Sequence, residues 1–520
     1  DCRRGNFKKA LDLIDRSLVR NWHHHKARQL KVSILRHLGR KEEAFDLIAE
    51  SLKIDRFNMG CRFEQYLLTG DDHVLKEMQR LMHGAAHVYI EYALDFAQAG
   101  LYDEAINLLG GYAATQGEVY PMVHYALGYC HSRKGDTVKA LEYYKKAEQD
   151  DHSYCFPNRI EEVLVLQDAM KENHEACAKA AYALGNFWYA ARQYDNAIAC
   201  WEASAAIDPA FPTVWRNLSL AYYNKRNDPQ KAVETLEKAY RLDESDARIL
   251  MELDQLYKRL GRPQAERLAF LEAHPAETES RDDLSIERIT LYNQLGRYEE
   301  AKALIAARKF HPWEGGEGKI TGQYTICHVE LAKIALREHR YADALALLQA
   351  TDQYPYNLGE GKLINAEEND IWYYKGLAYR GLGDEENAKL WLHKATQGSA
   401  EPQQAFFYND AQPDKIFYQG LAWRALGEED KARGRFNKLI KHGEKHLFDH
   451  CRIDYFAVSL PDLAIWEDNL DKRNAIHCNY VMGLGYLGLE DRVHAIEYLD
   501  KARALDINHQ GAQIHRELCE

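Results

Sequence analysis

Apolar residues recur along the chain with a helical period, and the pattern itself repeats at a constant length. The segments Arg3–Leu18 and His37–Leu52 both place apolar residues three or four positions apart, which is typical of the buried face of an α-helix. Each segment has a glycine near its start, at Gly5 and Gly39, and these glycines are 34 residues apart. The pattern therefore predicts an array of helix–turn–helix units.

The same frame returns along the rest of the chain. Further copies of the turn and second helix are Ala99–Leu109, Lys134–Ala147, Ala191–Ser204, Leu295–Ile305, Glu338–Leu348, Leu382–Ala395, Leu426–Leu439 and Leu489–Ala502. Small residues of the first helix, such as Gly185 and Gly376, let the two helices of a unit approach closely. Turn glycines such as Gly383 accept a positive φ where the first helix ends.

These units resemble the tetratricopeptide repeat (TPR). The match lies in the first helix, where Trp372 is followed four residues later by Gly376 and then three later by Tyr379. The resemblance implies an all-α fold, a right-handed superhelical solenoid of about 11 to 12 helical hairpins. Extra residues between some units predict helical and loop insertions.

The repeat frame divides the chain into segments. We predict N-terminal TPR units at 1–56, a spacer or insertion at 57–84, a TPR pair at 85–150, a helical insertion at 151–178, TPR units at 179–275, 276–352 and 353–442, an insertion at 443–475, and a last TPR with a capping helix at 476–520. The first unit holds only its second helix, and the chain lacks an initiator methionine. We therefore expect it to be the C-terminal part of a longer protein.

Charge and cysteine usage narrow the classes of partner. The 520 residues include 80 acidic and 67 basic side chains, giving a net charge of −13, which disfavours binding to nucleic acid. There is no apolar run long enough to span a membrane.

The ten cysteines form no CxxC pair, so we expect reduced thiols, a cytoplasmic location, and neither a metal nor a cofactor.

Two loops interrupt the repeat and share one pattern. An aromatic–Pro–aromatic segment precedes Gly-Glu-Gly-Lys at 316–319 and again at 359–362. The following residues, Ile320 and Leu363, rule out a phosphate-binding P-loop, which needs Ser or Thr there. We predict one composite binding surface from the two loops. Its residues are Trp313, Glu317, Lys319, Tyr356, Glu360 and Lys362.

The chemistry of this surface leaves alternatives open. The loops either dock on another domain, or bind a carbohydrate that stacks on Trp313 and Tyr356 while the charged groups hydrogen-bond to it. Glu314, Glu317 and Glu360 are also candidates for a hydrolytic carboxylate pair. Acidic residues are abundant, however, and no nucleophile motif is present, so we predict no catalytic residue and no enzyme activity for this chain alone.

A peptide groove is a further possibility. Co-chaperone TPR domains clamp a peptide carboxylate with Asn, Lys and Arg side chains of their first helices. The matching positions here hold Asn186, Asn217 and Arg248, whereas Tyr182 and Glu252 replace two basic residues of that pattern. The match to the clamp is thus partial.

Three segments beyond the generic repeat carry a wider resemblance. They are YCFPNRIEEVLVLQDA, HPWEGGEGKITGQY and VSLPDLAIWEDNLDKRNAIHCNYVMGLGYLG. Together they resemble the C-terminal TPR region of large bacterial proteins whose N-terminal domain is similar to galactose mutarotase. The resemblance implies a scaffold that docks on and supports that domain. The alternative is an integral part of a carbohydrate-active enzyme whose TPR loops line the substrate site.

Overall fold

The computed structural model describes residues 1–174, 176–313, 315–405, 410–452 and 465–520. Throughout these ranges the ordered elements are helices, and no β-strand occurs in them. The predicted all-α class is therefore confirmed. None of the helices within these ranges is long and apolar enough to cross a membrane.

The chain divides into two compact units, Asp1–Ala221 and Tyr222–Glu520. The helices of the first unit are α1 (Phe7–Arg20), α2 (His25–His37), α3 (Lys41–Ile54), α4 (Met59–Thr69), α5 (Asp72–Met82), α6 (Ala86–Ala99), α7 (Tyr102–Ala113), α8 (Pro121–Arg133), α9 (Thr137–Gln149), α10 (Ile160–Glu172), α11 (Ala178–Ala190) and α12 (Tyr194–Ile207). Residues 57–84 thus hold two helices, and 151–178 hold one.

The boundary between the units falls inside α13 (Pro212–Arg226). The second unit continues with α14 (Pro229–Leu242), α15 (Ala247–Arg259), α16 (Gln264–Ala273), α17 (Pro275–Ser280), α18 (Asp282–Gln294), α19 (Tyr298–Ala307), α20 (Lys319–Arg337), α21 (Tyr341–Gln349), α22 (Asn369–Gly381), α23 (Glu385–Ala395), α24 (Pro413–Ala425), α25 (Glu429–His446), α26 (Leu470–Gly488), α27 (Arg492–Leu505) and α28 (Gln510–Glu517). Residues 453–464, in the middle of the predicted insertion at 443–475, lie outside the described residues.

Consecutive helices joined by short turns pack against each other as hairpins. In the described ranges, eleven such pairs that share no helix are α2/α3, α4/α5, α6/α7, α8/α9, α11/α12, α15/α16, α18/α19, α20/α21, α22/α23, α24/α25 and α26/α27. The eleven pairs agree with the hairpin number that the repeat frame predicts. The terminal helix α28 packs on α26 and α27.

Small residues allow the close packing inside each hairpin. A Cβ placed on Gly185 would lie 2.4 Å from the Trp201 ring, and one on Gly420 would lie 2.3 Å from the Phe436 ring. No side chain fits at such distances, so glycine is required at both positions. The predicted left-handed turn conformation is also present, with φ of 81° at Gly383.

The two ends of the second unit meet each other. The guanidinium of Arg267, in α16, donates a 3.2 Å hydrogen bond to the side-chain oxygen of Asn508. The side-chain amide of Gln294, in α18, donates a 2.8 Å bond to the Asn508 carbonyl. The turn before α28 is thereby held against helices more than 200 residues earlier, and the hairpins between them surround a common space.

The cysteines lie mostly in the core. All ten are free, and seven are buried: Cys61, Cys130, Cys155, Cys177, Cys327, Cys478 and Cys519. Burial raises the pKa of the Cys130 thiol to about 12, so this group stays protonated and unreactive near neutral pH.

Candidate binding cavity of the second unit

The two Gly-Glu-Gly-Lys loops are in direct contact. The backbone N–H of Gly318 donates a 2.9 Å hydrogen bond to Oε2 of Glu360. The N–H of Phe310 donates a 2.8 Å bond to the carbonyl of Asn357. In turn, the side-chain amide of Asn357 donates to the carbonyls at the end of α19, Ile305 and Arg308, at 2.8 Å each. The second loop is therefore fastened to the base of the first.

Gly359 makes this contact possible. Its φ is 75°, a left-handed conformation that side chains rarely adopt, and a Cβ there would lie 2.6 Å from the Phe310 carbonyl oxygen. Glycine at this position therefore allows both the left-handed turn and the close approach of the two loop backbones.

The six candidate residues of the loops separate into two groups. Glu317 and Glu360 line a cavity enclosed by the described helices of the second unit. Trp313 instead packs on Gly316 of its own loop, with Lys319 Nζ 5.9 Å from the Trp313 ring centroid. Tyr356 is 88% exposed, and Lys362 bonds to the Thr351 carbonyl and to Glu368. The aromatic pair thus does not belong to the described cavity wall.

This cavity measures about 1060 Å³ in the described residues. Its wall consists of residues from five helices, α20, α22, α24, α26 and α28, together with residues between the helices, at 317–318, 354, 360–361, 363, 365–368, 403–405, 410–412, 506 and 509. Four of these five are first helices of successive hairpins. A volume of this size lies at the upper end of the range for ligand sites, so it accommodates more than one side chain of a partner.

The wall is strongly acidic. Its carboxylates are Glu317, Glu330, Glu360, Glu367, Glu368, Asp370, Asp410, Asp414 and Asp506, whereas its lysines and arginines are Lys415 and Arg473. Such a one-sided distribution of charge in a concave, low-dielectric space focuses a negative potential into the cavity. Cationic groups are therefore attracted and anions are repelled.

Part of this negative charge is neutralised inside the wall. Lys415 Nζ lies 2.6 Å from Asp370 and 3.3 Å from Asp414. Burial disfavours the charge on Lys415, but the two carboxylates outweigh it and hold the Lys415 pKa above its ordinary value. Glu330 is similarly paired with Lys333 at 2.8 Å.

The pair formed by Glu317 and Glu360 is different. Burial raises the pKa of Glu360; the Gly318 N–H opposes the rise, and the negative charge of Glu317 adds to it. Within the described ranges no ion pair includes either carboxylate. The two loops thus place two uncompensated acids at the rim of one cavity.

Tyrosine and histidine side chains form the inner wall. The hydroxyl of Tyr418 lies 3.3 Å from that of Tyr374, which is not part of the wall, and the Tyr480 hydroxyl lies 3.2 Å from Nδ1 of His515. That nitrogen is also 2.7 Å from the Gly511 carbonyl oxygen, which only accepts, so Nδ1 carries the proton. Burial lowers the pKa of His515 to about 4, and the ring is neutral near pH 7.

The residues of the predicted peptide groove are engaged locally. In the first unit, Asn217 donates a 3.2 Å hydrogen bond to Oδ1 of Asn186, which also accepts from Trp201 Nε1. In the second unit, Arg248 Nε donates a 3.0 Å bond to Glu252. Among the described residues, no group of three His, Cys, Asp or Glu side chains is arranged to hold a metal ion.

Comparison with known proteins identifies the repeats. Family profiles described as tetratricopeptide repeat match residues 92–154, 178–247, 329–402 and 416–442. The chain contains tetratricopeptide repeats. The TPR segments include α22, α23 and most of α24 and α25, so the cavity is built partly on them. The architecture is a TPR-type helical solenoid, which is consistent with a protein-interaction scaffold.

Several solved structures are similar to part or all of the chain at low identity. MamA residues 41 to the end, from Desulfovibrio magneticus RS-1, is 21% identical over 38% of this chain and 97% of its own, with a TM-score of 0.23. YrrB, described as a TPR protein with an unusual peptide-binding site, is 15% identical over 46% and 96%, with a TM-score of 0.18. Cut9–Hcn1, an APC/C hetero-tetramer, is 12% identical over 99% and 93%, with a TM-score of 0.27.

Sequence reasoning found the two loop carboxylates but missed the rest of the cavity. Tyr418, Tyr480 and His515 lie on inner helix faces, where an aromatic residue has the same spacing as an ordinary core residue. The polar residues Asp370, Asp414 and Lys415 near the starts of two first helices were the available sign, because charged residues seldom line a purely structural helix interface.

Proposed function

We propose that this TPR array is an interaction scaffold and that the cavity of the second unit is where it holds a partner protein. The single observation that carries the proposal is the convergence of five helices and both inserted loops on one cavity of about 1060 Å³. Ordinary TPR turns need only a few residues, whereas these loops are long, mutually fastened and placed at the cavity rim. Ordered insertions on one face of a solenoid often serve binding.

The partner that we propose is the N-terminal, mutarotase-like domain of the bacterial family that the sequence resembles. The outer face of the loops supports such docking, because it exposes large apolar side chains on the second loop. Tyr356 is 88% exposed, and Ile364 is fully exposed. We therefore propose a composite contact in which the outer loop residues, Trp313, Lys319, Tyr356 and Lys362, border the partner and Glu317 and Glu360 face its inserted segment.

The experiment fills the cavity and measures binding of that domain, supplied as a separate polypeptide. Gly322 lines the cavity, and a Cβ there would meet nothing within 4 Å, so a side chain can begin at this position without a clash and the indole of Gly322→Trp takes up space in the cavity. Gly434 is an exposed glycine of α25 with equally open surroundings, and Gly434→Trp is the matched control. We expect the first variant to weaken binding at least about tenfold, and the control to bind like the unmodified chain.

Equal affinities of the two variants would refute the cavity as the binding site. The double variant Trp313→Ala, Tyr356→Ala tests the outer loop face in the same assay. A loss of binding in this variant, with helical content unchanged, supports the composite contact.

A carbohydrate is the second candidate ligand. The observation that favours it is that both loops contribute a carboxylate to a cavity that also contains Tyr354, Tyr418 and Tyr480. Tyrosine rings and carboxylates together suit the faces and hydroxyls of a sugar. Titration with neutral oligosaccharides separates the two candidates, because a saturable heat that Gly322→Trp abolishes would favour the sugar over the protein segment.

A further inference from the structure

Three acidic side chains of the cavity have no ion-pair partner among the described residues. No ion pair of the described residues includes Glu317, Glu360 or Glu367, and the residues outside the described ranges include no lysine or arginine. Elsewhere in the same wall, Asp370 and Asp414 share Lys415 at 2.6 and 3.3 Å. The cavity wall therefore pairs Asp370 and Asp414 with its own lysine, whereas Glu317, Glu360 and Glu367 have no such partner among the described residues.

In Glu367, one of the two carboxylate oxygens also lacks a hydrogen-bond donor. Its Oε1 accepts a 2.9 Å hydrogen bond from the N–H of Ser399, whereas its Oε2 is buried and has no hydrogen-bond partner among the described residues. A buried carboxylate oxygen without a donor carries a substantial free-energy cost. A donor supplied by a ligand would remove that cost.

An independent observation comes from the terminal helix. The His515 ring lines the cavity and is only 4% exposed. Its protonated Nδ1 faces the Gly511 carbonyl, so the opposite nitrogen, Nε2, is an acceptor. This acceptor is buried and has no hydrogen-bond partner among the described residues. The Nε2 atom is uncharged, so its lack of a partner is an observation separate from the excess of carboxylates in the wall. Like Glu367, it requires an N–H or O–H donor.

The required ligand group thus donates hydrogen bonds and carries positive charge. Ammonium and guanidinium groups have this chemistry, because they donate only and remain charged at neutral pH. Burial raises the pKa of Glu360 and the negative charge of Glu317 adds to the rise; a cation between the two carboxylates would relieve their repulsion.

We propose that the cavity binds lysine or arginine side chains of a basic, extended segment of the partner protein, with Glu317, Glu360 and Glu367 as counter-ions and His515 Nε2 as an acceptor. This inference rests on the proposed function, since it names the chemistry of the segment that the cavity holds. The volume of about 1060 Å³ favours a segment of several residues over a single free amine.

The test uses the whole chain and a hexalysine peptide, titrated calorimetrically at about 0.15 M salt, where distant surface charges are largely screened. The double variant Glu317→Gln, Glu360→Gln removes two charges but keeps the oxygen acceptors that bond the Gly315 and Gly318 amides. The matched control, Glu266→Gln, Glu386→Gln, removes two exposed acids that line no part of the cavity. His515→Phe removes the unpartnered acceptor and keeps an aromatic ring.

We expect the loop double variant to weaken hexalysine binding roughly tenfold or more, the control to change it less than about twofold, and His515→Phe to weaken it several-fold. Equal weakening in the two double variants would show attraction by net charge alone and would overturn the inference. Tighter binding of spermidine than of hexalysine would assign the site to free polyamines and would equally overturn it.

The two proposals fail in different ways. One outcome is that the Glu317→Gln, Glu360→Gln variant binds hexalysine as tightly as the unmodified chain, while Gly322→Trp still abolishes binding of the partner domain. The cavity then holds a protein segment but does not recognise its cationic side chains. The present inference is then wrong, and the proposed function stands. If Gly322→Trp also leaves the partner domain bound, the proposed function is wrong as well.

Discussion

The Oε2 atom of Glu360 accepts a 2.9 Å hydrogen bond from the backbone N–H of Gly318, across 42 residues of chain. Gly318 is the residue that precedes α20, and its φ of 74° is left-handed. The contact therefore fixes the second loop to the start of a helix whose inner face lines the cavity. A side chain that faces the cavity also holds the rim in place.

Removal of this acceptor is expected to loosen the rim. Glu360→Ala leaves the Gly318 N–H without its partner and costs about 1.4 kcal/mol, so amide hydrogen exchange in the first loop is expected to rise roughly tenfold. Glu360→Gln keeps an oxygen acceptor for the Gly318 N–H, so its exchange is expected to stay close to that of the unmodified chain. Exchange measured by mass spectrometry on peptides covering 315–324 compares the two, and equal rates would contradict a role for the bond.

Close helix packing gives a second prediction. In Gly420→Ala the new Cβ would lie 2.3 Å from the Phe436 ring, and the forced shift is expected to lower stability by about 1–3 kcal/mol. Gly434→Ala is the control, because this exposed glycine of α25 has open space around its Cβ position. The control is expected to raise stability by about 0.5–1 kcal/mol. Thermal unfolding followed by circular dichroism measures whether the melting temperature falls in Gly420→Ala and rises in Gly434→Ala. A change in the same direction in both variants would refute the packing argument.

Local sequence pattern was sufficient to predict the hairpins. The small residue at Gly420, the large one at Phe436 and the turn glycine between them recur in one frame, and each acts on neighbours within its own hairpin. Helical period and turn residues are sequence-local properties, so a single chain reveals them. For the same reason the adjacent loops at 316–319 and 359–362 were recognisable as a related pair.

The closure of the second unit, meaning the contact of the turn before α28 with α16 and α18, could not be predicted from local sequence pattern. It depends on Asn508, whose carbonyl and side chain bond to Gln294 and Arg267 more than 200 residues away. Asparagine and glutamine at helix ends are common and carry no periodic pattern, so nothing local singles them out. His515 shares the cavity with Glu317 only because this closure exists, and the cavity was therefore not predictable as a whole.

The closure suggests a third prediction, at Arg267. Its fully buried guanidinium lies 2.6 Å from Asp254 and 2.7 Å from Glu287, in addition to its bond with Asn508. Arg267→Met leaves the buried Asp254 carboxylate without its ion pair and is expected to cost about 3–5 kcal/mol. Arg241→Met, which removes an exposed pair with Glu237, is expected to cost less than about 1 kcal/mol. Urea unfolding measures both, and similar midpoints would contradict the importance of the buried network.

Buried His515 gives a prediction about pH. Burial lowers its pKa to about 4, from 6.5 for an unperturbed histidine. Between these values the unfolded chain binds a proton that the folded chain excludes, so stability falls as the pH is lowered through this window and is unaffected above it. For this one group, the loss of unfolding free energy between pH 8 and pH 5 is expected to be about 2 kcal/mol.

The contribution of His515 to this change in unfolding free energy can be separated from that of the other titrating groups by comparing the chain with a variant that lacks the histidine. His515→Gln keeps a side chain that donates and accepts hydrogen bonds, and it has no proton to gain between pH 5 and pH 8. Urea unfolding of the original chain and the variant at both pH values gives four free energies. We expect the drop between pH 8 and pH 5 to be smaller by about 2 kcal/mol in the variant, whatever its stability at pH 8. An unchanged drop would mean that the His515 ring accepts a proton in the folded chain, and such a charged ring would repel the cationic side chains that we assign to the cavity.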